Sequence, residues 1–444
     1  MDEVFLFCKV QMNIKELYSF FKEKHTISTD SRKIESGCIF FALKGDNFDG
    51  NLYAEQAINI GACFAVIDNP EYKKNSNFIL VDDVLKTLQE LARFHVSQLK
   101  PKLKVIGLTG SNGKTTTKEL TASVLSSKYR VQYTEGNFNN HIGVPLTILK
   151  ITTDTEIAVI EMGANHHKEI AFLASVAQPD FGLITNIGNA HLEGFGSIEG
   201  VLEAKSELFE YLKKGNGVLC INKNDKLLAK KYLHDPYYKK IYYGSGDNCI
   251  VDGHITESGL ESQIIALSFG EKKYNFKTKL IGKYNLDNFL AAAAIGKLFN
   301  IPDIDIIESF ENYEPNLNRS QFVETQKNRL IVDAYNANPT SMLAALDNFK
   351  NLKEKNKIVI LGGMKELGKS SKSYHIQVIE SLNTRKFDVV YLVGDEFSQI
   401  KHSYKIFKNV EELIKVLKGN NINNSTILIK GSRINRLEKV IEFL

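Results

Sequence analysis

Cysteine is scarce in this chain, and its spacing is irregular. The 444 residues contain five cysteines, and no two of them form a Cys-x-x-Cys pair. Zinc sites and redox motifs use such pairs, and small secreted proteins carry even-numbered disulfide frameworks. We therefore expect reduced thiols in a cytoplasmic protein, with neither a disulfide framework nor a zinc site. The five positions are Cys8, Cys38, Cys63, Cys220 and Cys249.

Long apolar runs are also missing. No run approaches the roughly 18 residues that a membrane-spanning helix needs, so we expect no membrane span. The first ten residues, Met1 to Val10, carry Asp2 and Glu3 inside a short apolar run. They lack the basic start and the small-residue cleavage site of a secretory signal peptide.

A large excess of charge of either sign is also missing. Lysine and arginine number 56 against 52 aspartates and glutamates, which gives a net charge of +4. Nucleic-acid-binding proteins concentrate positive charge, so this balance and the lack of a long basic block argue against a nucleic-acid partner. We find no internal repeat or low-complexity tract, and a prior of about 150 residues per domain suggests two to four domains.

One glycine-rich segment carries the strongest chemical signal. Residues 109–116 read Thr-Gly-Ser-Asn-Gly-Lys-Thr-Thr and lie between a short apolar run and a helix-like segment at 118–127. A strand, a glycine turn and a helix in this order point backbone N–H groups at a phosphate. In such a loop Lys114 reaches the terminal phosphates and the Thr115 hydroxyl can bind Mg²⁺. The segment predicts the use of a nucleoside triphosphate.

The loop is shorter than the common phosphate-binding loop. Leu108 stands where the common loop has its first glycine, and a glycine turn can also form for steric reasons alone. The run Gly-Lys-Thr-Thr directly after a strand favours phosphate binding over that alternative. The predicted phosphate-binding residues are Gly110, Ser111, Asn112, Gly113, Lys114, Thr115 and Thr116.

Apolar strands alternate with helix-like stretches through most of the chain. The predicted strands are 105–108, 157–160, 182–185, 217–221, 330–332, 358–361, 389–393 and 426–429, and an alanine-rich helix is predicted at 285–299. Continuous apolar strands separated by helices indicate parallel α/β sheets. Polar linkers near Pro101 and at 311–316 predict three domains, at 1–100, 101–314 and 315–444.

Polar residues follow several of these strands, where ligands bind in parallel sheets. Glu161 ends a strand and offers Mg²⁺ an oxygen ligand, or else caps the next helix. His191 follows the next strand, although a lone histidine is more often structural. Lys205 lies between glutamates in a helix-like segment, which is usually a solvated face. Arg319 follows the second linker and either stabilises phosphoryl charge or lies on the surface.

Two further segments suit polar ligands. Residues 333–339, Asp-Ala-Tyr-Asn-Ala-Asn-Pro, place an acid and a tyrosine after a strand, which suits a ribose and a purine ring. A proline-containing turn is the alternative there. Residues 30–32 (Asp-Ser-Arg) and 42–46 (Ala-Leu-Lys-Gly-Asp) suit a polar ligand in the first domain, although turns have the same composition.

The order of these segments resembles the Mur ligase family, the ATP-dependent amide-forming enzymes of peptidoglycan precursor synthesis. The resemblance covers essentially the whole chain. It implies an α/β protein of three domains: a small N-terminal domain that binds a UDP-sugar, a central P-loop ATPase domain with a mostly parallel sheet, and a C-terminal Rossmann-like domain. The segments that carry it are 30–32, 42–45, 109–116, 136–145 (Gly-Asn-Phe-Asn-Asn-His-Ile-Gly-Val-Pro), 161–165 (Glu-Met-Gly-Ala-Asn), 333–339 and 430–433 (Lys-Gly-Ser-Arg).

The resemblance also implies roles for single residues. Carbamylation of Lys205 by CO₂ would give an anion able to bind Mg²⁺, and Arg319 would reach an ATP phosphate. The implied metal-facing residues are Thr115, Glu161, His191 and Lys205. The implied catalytic residues are Lys114, His191, Lys205 and Arg319, and the nucleoside would be held by Asn288, Asp333 and Tyr335. The implied substrate-binding residues are Ser31, Arg32, Asn137, Asn139, Asn140, Asn336 and Asn338.

Within the family, segments 161–165 and 333–339 favour the branch that joins D-alanyl-D-alanine to UDP-N-acetylmuramoyl-tripeptide. The Asp-Asn-Pro-Arg motif of the diamino-acid-adding branch is absent. ATP and Mg²⁺ are the expected cofactors, the expected partners are these small molecules without nucleic acid, and the chain is expected to be a monomer. A sister ligase that adds one amino acid, a nucleotide-gated binding protein and a nucleic-acid motor stay open as alternatives.

Three positions depart from the family pattern. Tyr284 stands where histidine is common, Asn318 precedes Arg319 where glycine is common, and Gly363 replaces the aspartate of a Gly-Asp-Met segment. The first two are tolerable variation. The third is the one feature that favours a binding protein without catalysis, and it leaves residue 363 without a role.

Overall fold

The structure, a computed structural model, describes residues 13–24, 26–315 and 319–444. The described residues pack as two compact units. The first contains residues 13–24, 26–107, 130–162 and 171–180, and the second contains 108–129, 163–170, 181–315 and 319–444. The predictions made for residues 1–10, Cys8 and Asn318 lie outside the described residues.

The strands and helices alternate along most of the chain, as the apolar pattern predicts. The strands are β1 (Ile27–Ser28), β2 (Ile39–Phe41), β3 (Lys44–Gly45), β4 (Phe48–Asp49), β5 (Phe64–Ile67), β6 (Phe78–Leu80), β7 (Lys104–Thr109), β8 (Val131–Tyr133), β9 (Ile157–Glu161), β10 (Phe181–Ile184), β11 (Val218–Asn222), β12 (Lys240–Tyr243), β13 (Cys249–Ser258), β14 (Gln263–Phe269), β15 (Lys272–Thr278), β16 (Gln321–Glu324), β17 (Arg329–Asp333), β18 (Lys357–Gly362), β19 (Val389–Val393), β20 (Lys405–Phe407) and β21 (Thr426–Lys430). The helices are α1 (Ile14–Lys24), α2 (Ala54–Ile60), α3 (Val84–Leu99), α4 (Lys114–Ser126), α5 (Gly143–Ile148), α6 (Glu169–Ala177), α7 (Leu192–Phe195), α8 (Ile198–Lys214), α9 (Lys226–Tyr232), α10 (Leu286–Leu298), α11 (Asp303–Glu311), α12 (Pro339–Asn351), α13 (Ser371–Arg385), α14 (Asp395–Ser398) and α15 (Val410–Gly419).

The first unit contains a small parallel sheet. Its strand order is β1-β2-β5-β6, and every neighbouring pair is parallel. Phe40 and Ile67 on this sheet pack against Ala54 and Ala57 of α2. In the same unit β8 pairs with β9 in parallel, and β9 lies beside β7.

The central part of the second unit combines parallel and antiparallel strands. Strands β10, β11, β12 and β13 are parallel neighbours, and β13, β14 and β15 then form an antiparallel meander. Helix α10 is buried from Asn288 to Gly296 because alanine dominates it and it packs against α4 and β13. A helix that is apolar on every side belongs in a core.

The last part of the second unit, residues 321–444, forms a sheet that is covered on both faces. The strand order is β16-β17-β21-β18-β19-β20, and only β16 runs antiparallel to its neighbour among these described strands. Helices α12 and α13 pack on one face through residues such as Phe349 and Ile379, and α15 packs on the other through Leu413 and Leu417. The loops after β17, β18, β19 and β21 therefore meet at the carboxyl edge of the sheet.

The strand predictions agree with the structure to within one residue at each end. The predicted start of the helix after the phosphate loop was wrong, because α4 begins at Lys114 and not at residue 118. The meander of β13 to β15 was not predicted from the sequence, although β14 alternates strictly between buried and partly buried residues. No helix among the described residues is long and apolar enough to cross a membrane.

Candidate functional site

The phosphate loop has the predicted shape. Gly113 has a left-handed backbone with φ of 76°, and α4 begins at the next residue, Lys114. This arrangement directs the first N–H groups of α4 toward the space above the loop. The ammonium group of Lys114 folds over the loop and donates to the carbonyl of Gly110 at 2.8 Å. Thr115 and Thr116 are buried at the start of the helix.

Asparagine and threonine side chains after β10 hold the loop in place. The Asn186 side chain accepts from the N–H of Asn112 at 3.0 Å and donates to its carbonyl at 3.0 Å. The Thr185 hydroxyl donates to the same carbonyl at 2.6 Å. Ser111 exchanges hydrogen bonds with the backbone of Gly188. Thr185 and Asn186 were not predicted as site residues. The signal that could have found them is their place at the end of the strand predicted at 182–185, Thr185 as its last residue and Asn186 directly after it.

Asn288 lies beneath the loop. Its side chain accepts from the Thr117 hydroxyl at 3.0 Å and donates to Asn285 at 2.8 Å, and it is 3% exposed. A Cβ atom on Gly113 would collide with the Asn288 amide oxygen. In the structure Asn288 supports the loop from behind, and the contact with a nucleoside stays a prediction.

The substitution Gly113→Ala is expected to destabilise the loop for two separate reasons. The left-handed backbone costs a side chain about 1–2 kcal/mol, and the collision with Asn288 adds about 1–3 kcal/mol. Gly196 is the matched control, because its φ is 77° and no atom lies within 4 Å of a Cβ placed there. In urea unfolding, Gly113→Ala should lose more stability than Gly196→Ala. Equal losses would show that the loop adapts to the extra atom.

Lys205 is buried, and it forms no ion pair with a carboxylate of the described residues. It lies in α8, is 0% exposed, and its ammonium nitrogen donates to the carbonyl of Ala164 at 3.3 Å and lies 5.0 Å from the centre of the Phe195 ring. Burial, helped by the charge of Lys114, lowers the pKa of Lys205 to about 7. The interpretation of Lys205 as part of a solvated helix face was wrong. Its neutral amine is able to react with CO₂ near physiological pH.

The low pKa of Lys205 predicts a pH-dependent stability. Between pH 7 and about 10.4, the unfolded lysine binds a proton that the folded one does not, so the free energy of unfolding rises with pH over this range. Lys205→Met removes this dependence. The free energy of unfolding of the variant should therefore exceed that of the wild type, by the largest margin at pH 6.5 and by the smallest at pH 9.5. Denaturant unfolding in CO₂-depleted buffer measures this, with Lys214→Met on the exposed face of α8 as the control. A stability gap that does not change with pH would contradict the expectation.

An acid for which the sequence predicted no role, Glu366, lies beside His191. His191 has a left-handed backbone at the start of α7, and its Nδ1 atom lies 2.7 Å from Oε2 of Glu366. The contact with His191 and the charge of Lys114 help to lower the pKa of the Glu366 carboxyl group. Glu366 lies in the loop after β18, three residues beyond Gly363, which is the one residue of this loop that the sequence singled out.

Arg319 lies on an aromatic ring of the segment after β17. Its guanidinium group is 3.7 Å from the centre of the Tyr335 ring, and Arg433 lies 5.6 Å from the same ring. The Nε atom of Arg319 is buried and has no hydrogen-bond partner among the described residues. Asp333 at the end of β17 accepts from Lys430 at 2.5 Å. An arginine with an unused donor beside a tyrosine fits a nucleotide with its phosphates.

Asn338 connects this segment to the phosphate loop. Its side chain caps α12 by accepting from the N–H of Ser341, and it also donates to the Asn112 side chain at 2.7 Å. Asn336 is exposed, and its side chain accepts from the N–H of Ala337. Their proposed contacts with substrate stay predictions.

The first unit holds the remaining predicted residues. Arg32 is exposed and forms an ion pair with Asp30 at 2.8 Å, beside the buried Ser31.

Glu161 ends β9 and is 1% exposed, and the Asn139 side chain donates to its Oε1 atom at 2.7 Å. Asn140 accepts from the N–H of Gly143, and Asn137 is exposed in the same loop. The structure thus brings Asn139 and Glu161 together, and Thr115, His191 and Lys205 lie in the second unit.

The donor chemistry of the predicted metal residues fits Mg²⁺. No group of three or more histidine, cysteine, aspartate or glutamate side chains suited to a metal occurs in the described part of the chain. Mg²⁺ is usually held by one or two protein oxygens together with phosphates and waters. The hydroxyl of Thr115 and the carboxylate of Glu161 are oxygen donors of this kind.

Known proteins are similar to this chain in both sequence and fold. Family models match at residues 23–96 (Mur ligase family, catalytic domain), 108–296 (Mur ligase middle domain) and 318–433 (Mur ligase, glutamate ligase domain). The UDP-N-acetylmuramoyl-tripeptide–D-alanyl-D-alanine ligase of Bacillus subtilis is 36% identical over 95% of this chain and 93% of its own length. The chain belongs to the Mur ligase family.

Two solved structures of Mur ligases extend the similarity to the fold. MurF from Acinetobacter baumannii superposes with a TM-score of 0.84 and 31% identity, covering 94% of this chain and 92% of its own. The MurF ligase from Thermotoga maritima in complex with ADP has a TM-score of 0.83 and 27% identity, with 95% and 97% covered. The predicted family and the α/β fold class are confirmed. The domain boundaries at residues 100 and 314 and the roles of single residues stay predictions.

Proposed function

We propose that this Mur ligase joins D-alanyl-D-alanine to UDP-N-acetylmuramoyl-tripeptide, with ATP converted to ADP and phosphate. The observation that carries the proposal is the phosphate loop with Lys114, which shares its unit with the buried Lys205 and with Arg319. The 36% identity to the Bacillus subtilis ligase, which extends over 95% of this chain, supports the choice of substrates. The product is the UDP-N-acetylmuramoyl-pentapeptide precursor of peptidoglycan.

The chemistry needs no protein nucleophile. A carboxylate is a poor acceptor for an amine at neutral pH, so the tripeptide carboxylate first attacks the γ-phosphorus of ATP and ADP leaves. The dipeptide amine then attacks the carbonyl carbon of the acyl phosphate and loses a proton. The tetrahedral intermediate collapses to an amide and inorganic phosphate. The protein's contribution is to position two anions and to offset their charge.

The residues divide this work by their chemistry. Lys114 and the first N–H groups of α4 offset the charge on the transferred phosphoryl group. Arg319 adds a second cation, with its unused Nε donor, next to Tyr335. Asp333 and Tyr335 are proposed to hold the nucleoside, and Ser31 and Arg32 the UDP-sugar.

Mg²⁺ and a carbamate complete the proposed site. Thr115 and Glu161 would supply oxygen ligands, with His191 facing the metal, and Mg²⁺ would offset charge between ATP and the peptide carboxylate. A neutral Lys205 can take up CO₂ as a carbamate, and its low pKa supports this proposal. We further propose that the enzyme acts as a monomer in the cytoplasm, where ATP is available, since one chain supplies every residue named for the reaction.

Phosphate release tests the proposal. ATP and Mg²⁺ are supplied with UDP-N-acetylmuramoyl-tripeptide, with and without D-alanyl-D-alanine, and the product is weighed by mass spectrometry. Release that needs both substrates, with a pentapeptide product, is the expected result. Release with the dipeptide form and a free amino acid would instead identify a sister ligase. Nucleotide binding without release under any pairing would identify a binding protein.

A further inference from the structure

The loop after β18 begins with a residue that has no side chain, Gly363, where the resemblance described above implies an aspartate. Its N–H donates to the carbonyl of Val393 on the neighbouring strand β19 at 2.9 Å. In the parallel pair of β18 and β19, Gly362 lies opposite Val393, so the two strands end side by side. The loops after these two strands are therefore in contact.

A carboxylate from the second loop fills the space above Gly363. A Cβ atom built on Gly363 would collide with Oε2 of Glu396 and lie 2.7 Å from its Cδ. A Cβ atom on Gly394, whose φ is 118°, would lie 2.6 Å from the same oxygen. Two residues without side chains thus leave the room that the Glu396 carboxylate occupies, and this carboxylate is only 15% exposed.

Glu396 binds Lys365, and Lys365 in turn contacts a third loop at the carboxyl edge of the sheet. Its Oε1 atom forms an ion pair with the ammonium group of Lys365. The N–H of Lys365 donates to the Ser432 hydroxyl, in the loop after β21, at 3.2 Å. The next residue, Glu366, carries the carboxylate that lies 2.7 Å from His191. The position of Glu366 therefore depends on how the preceding residue is held.

We propose that Glu396 supplies, from the neighbouring strand, the carboxylate that residue 363 lacks, and that it positions the loop 363–368 for the ligase reaction. This inference rests on the proposed function. Glu396 acts as a positioning residue: it holds Lys365, and the loop then presents Glu366 to His191. The carboxylate has then moved from residue 363 to residue 396, and the glycine at residue 363 does not indicate a loss of catalysis.

Moving the acid back tests the inference. Glu396→Ala should lower kcat/KM by about 10- to 100-fold, the usual cost of losing a group that orients another. The double variant Gly363→Asp/Glu396→Ala should recover most of this loss, because the carboxylate returns from residue 363. Gly363→Asn/Glu396→Ala has nearly the same shape without the charge and should not recover. Gly363→Asp alone should impair the enzyme, since two carboxylates would then share one space.

The outcomes separate this inference from the proposed function. Full activity of Glu396→Ala, or equal recovery with asparagine and aspartate, would overturn the positioning role. Amide hydrogen exchange of residues 363–368 provides a readout without substrates: exchange should accelerate in Glu396→Ala and slow again with aspartate, but not with asparagine, at residue 363. A wild type that lacks ligase activity would contradict the proposed function, and the exchange pattern would still decide the role of Glu396. Thermal unfolding of each variant identifies any that fail to fold.

Discussion

Lys205→Ala is expected to reduce ligase turnover by at least about 10²–10³-fold, the usual cost of losing one group that stabilises charge in the transition state. Lys205 is fully buried beside Phe195, so the substitution removes a group that faces the interior and not the solvent. If the amine carries a carbamate, the variant loses an anion that helps to hold Mg²⁺. Steady-state phosphate release measures the effect.

Rescue separates the carbamate from a purely structural lysine. Short carboxylates such as formate or acetate should partly restore Lys205→Ala, because they can supply the missing anion in the space that the side chain leaves. Lys214→Ala, at the exposed end of the same helix, is the control and should keep full activity. Near-normal turnover in Lys205→Ala would exclude the carbamate role. Carbamylation needs the neutral amine, so activity at limiting CO₂ should rise as pH increases through about 7, the pKa of Lys205.

Lys114→Met is expected to lower kcat by about 10²–10³-fold, since the ammonium group that faces the terminal phosphates is lost. In the structure this group donates to the carbonyl of Gly110 at 2.8 Å, within the loop itself. Methionine keeps the length of the side chain without its charge. The initial rate at saturating ATP reports the loss.

A lysine just beyond the same helix provides the control. Lys128→Met removes a charge whose ammonium group donates to the carbonyl of Asn300 at 3.1 Å, and it should leave kcat unchanged. If Lys114→Met raised only the KM for ATP, the lysine would bind the ground state and the transition state equally. That result would contradict a role in transition-state stabilisation.

Local signals in the sequence were enough for most of the fold. The strand before the loop and the strands near Glu161, Asp333 and Lys430 are short apolar runs that end in polar residues, and such runs give the strand and its carboxyl end together. The meander of β13 to β15 was not predicted because half-buried antiparallel strands alternate apolar and polar residues, whereas the predicted strands are continuous apolar runs. The start of α4 was missed because a glycine turn hides how early the helix begins.

The sequence by itself determined the phosphate loop, the alternation of strands and helices, and the family, because each depends on residues close together in the chain. Only the tertiary structure decided which side chains are buried and which meet across long separations. A lysine between two glutamates is indistinguishable from a solvated one until its helix, α8, packs against Ala164 and Phe195, and burial then lowers the pKa of Lys205. The contacts of His191 with Glu366 and of Gly363 with Glu396 join residues from different loops, and no local pattern encodes a pairing that sheet order creates.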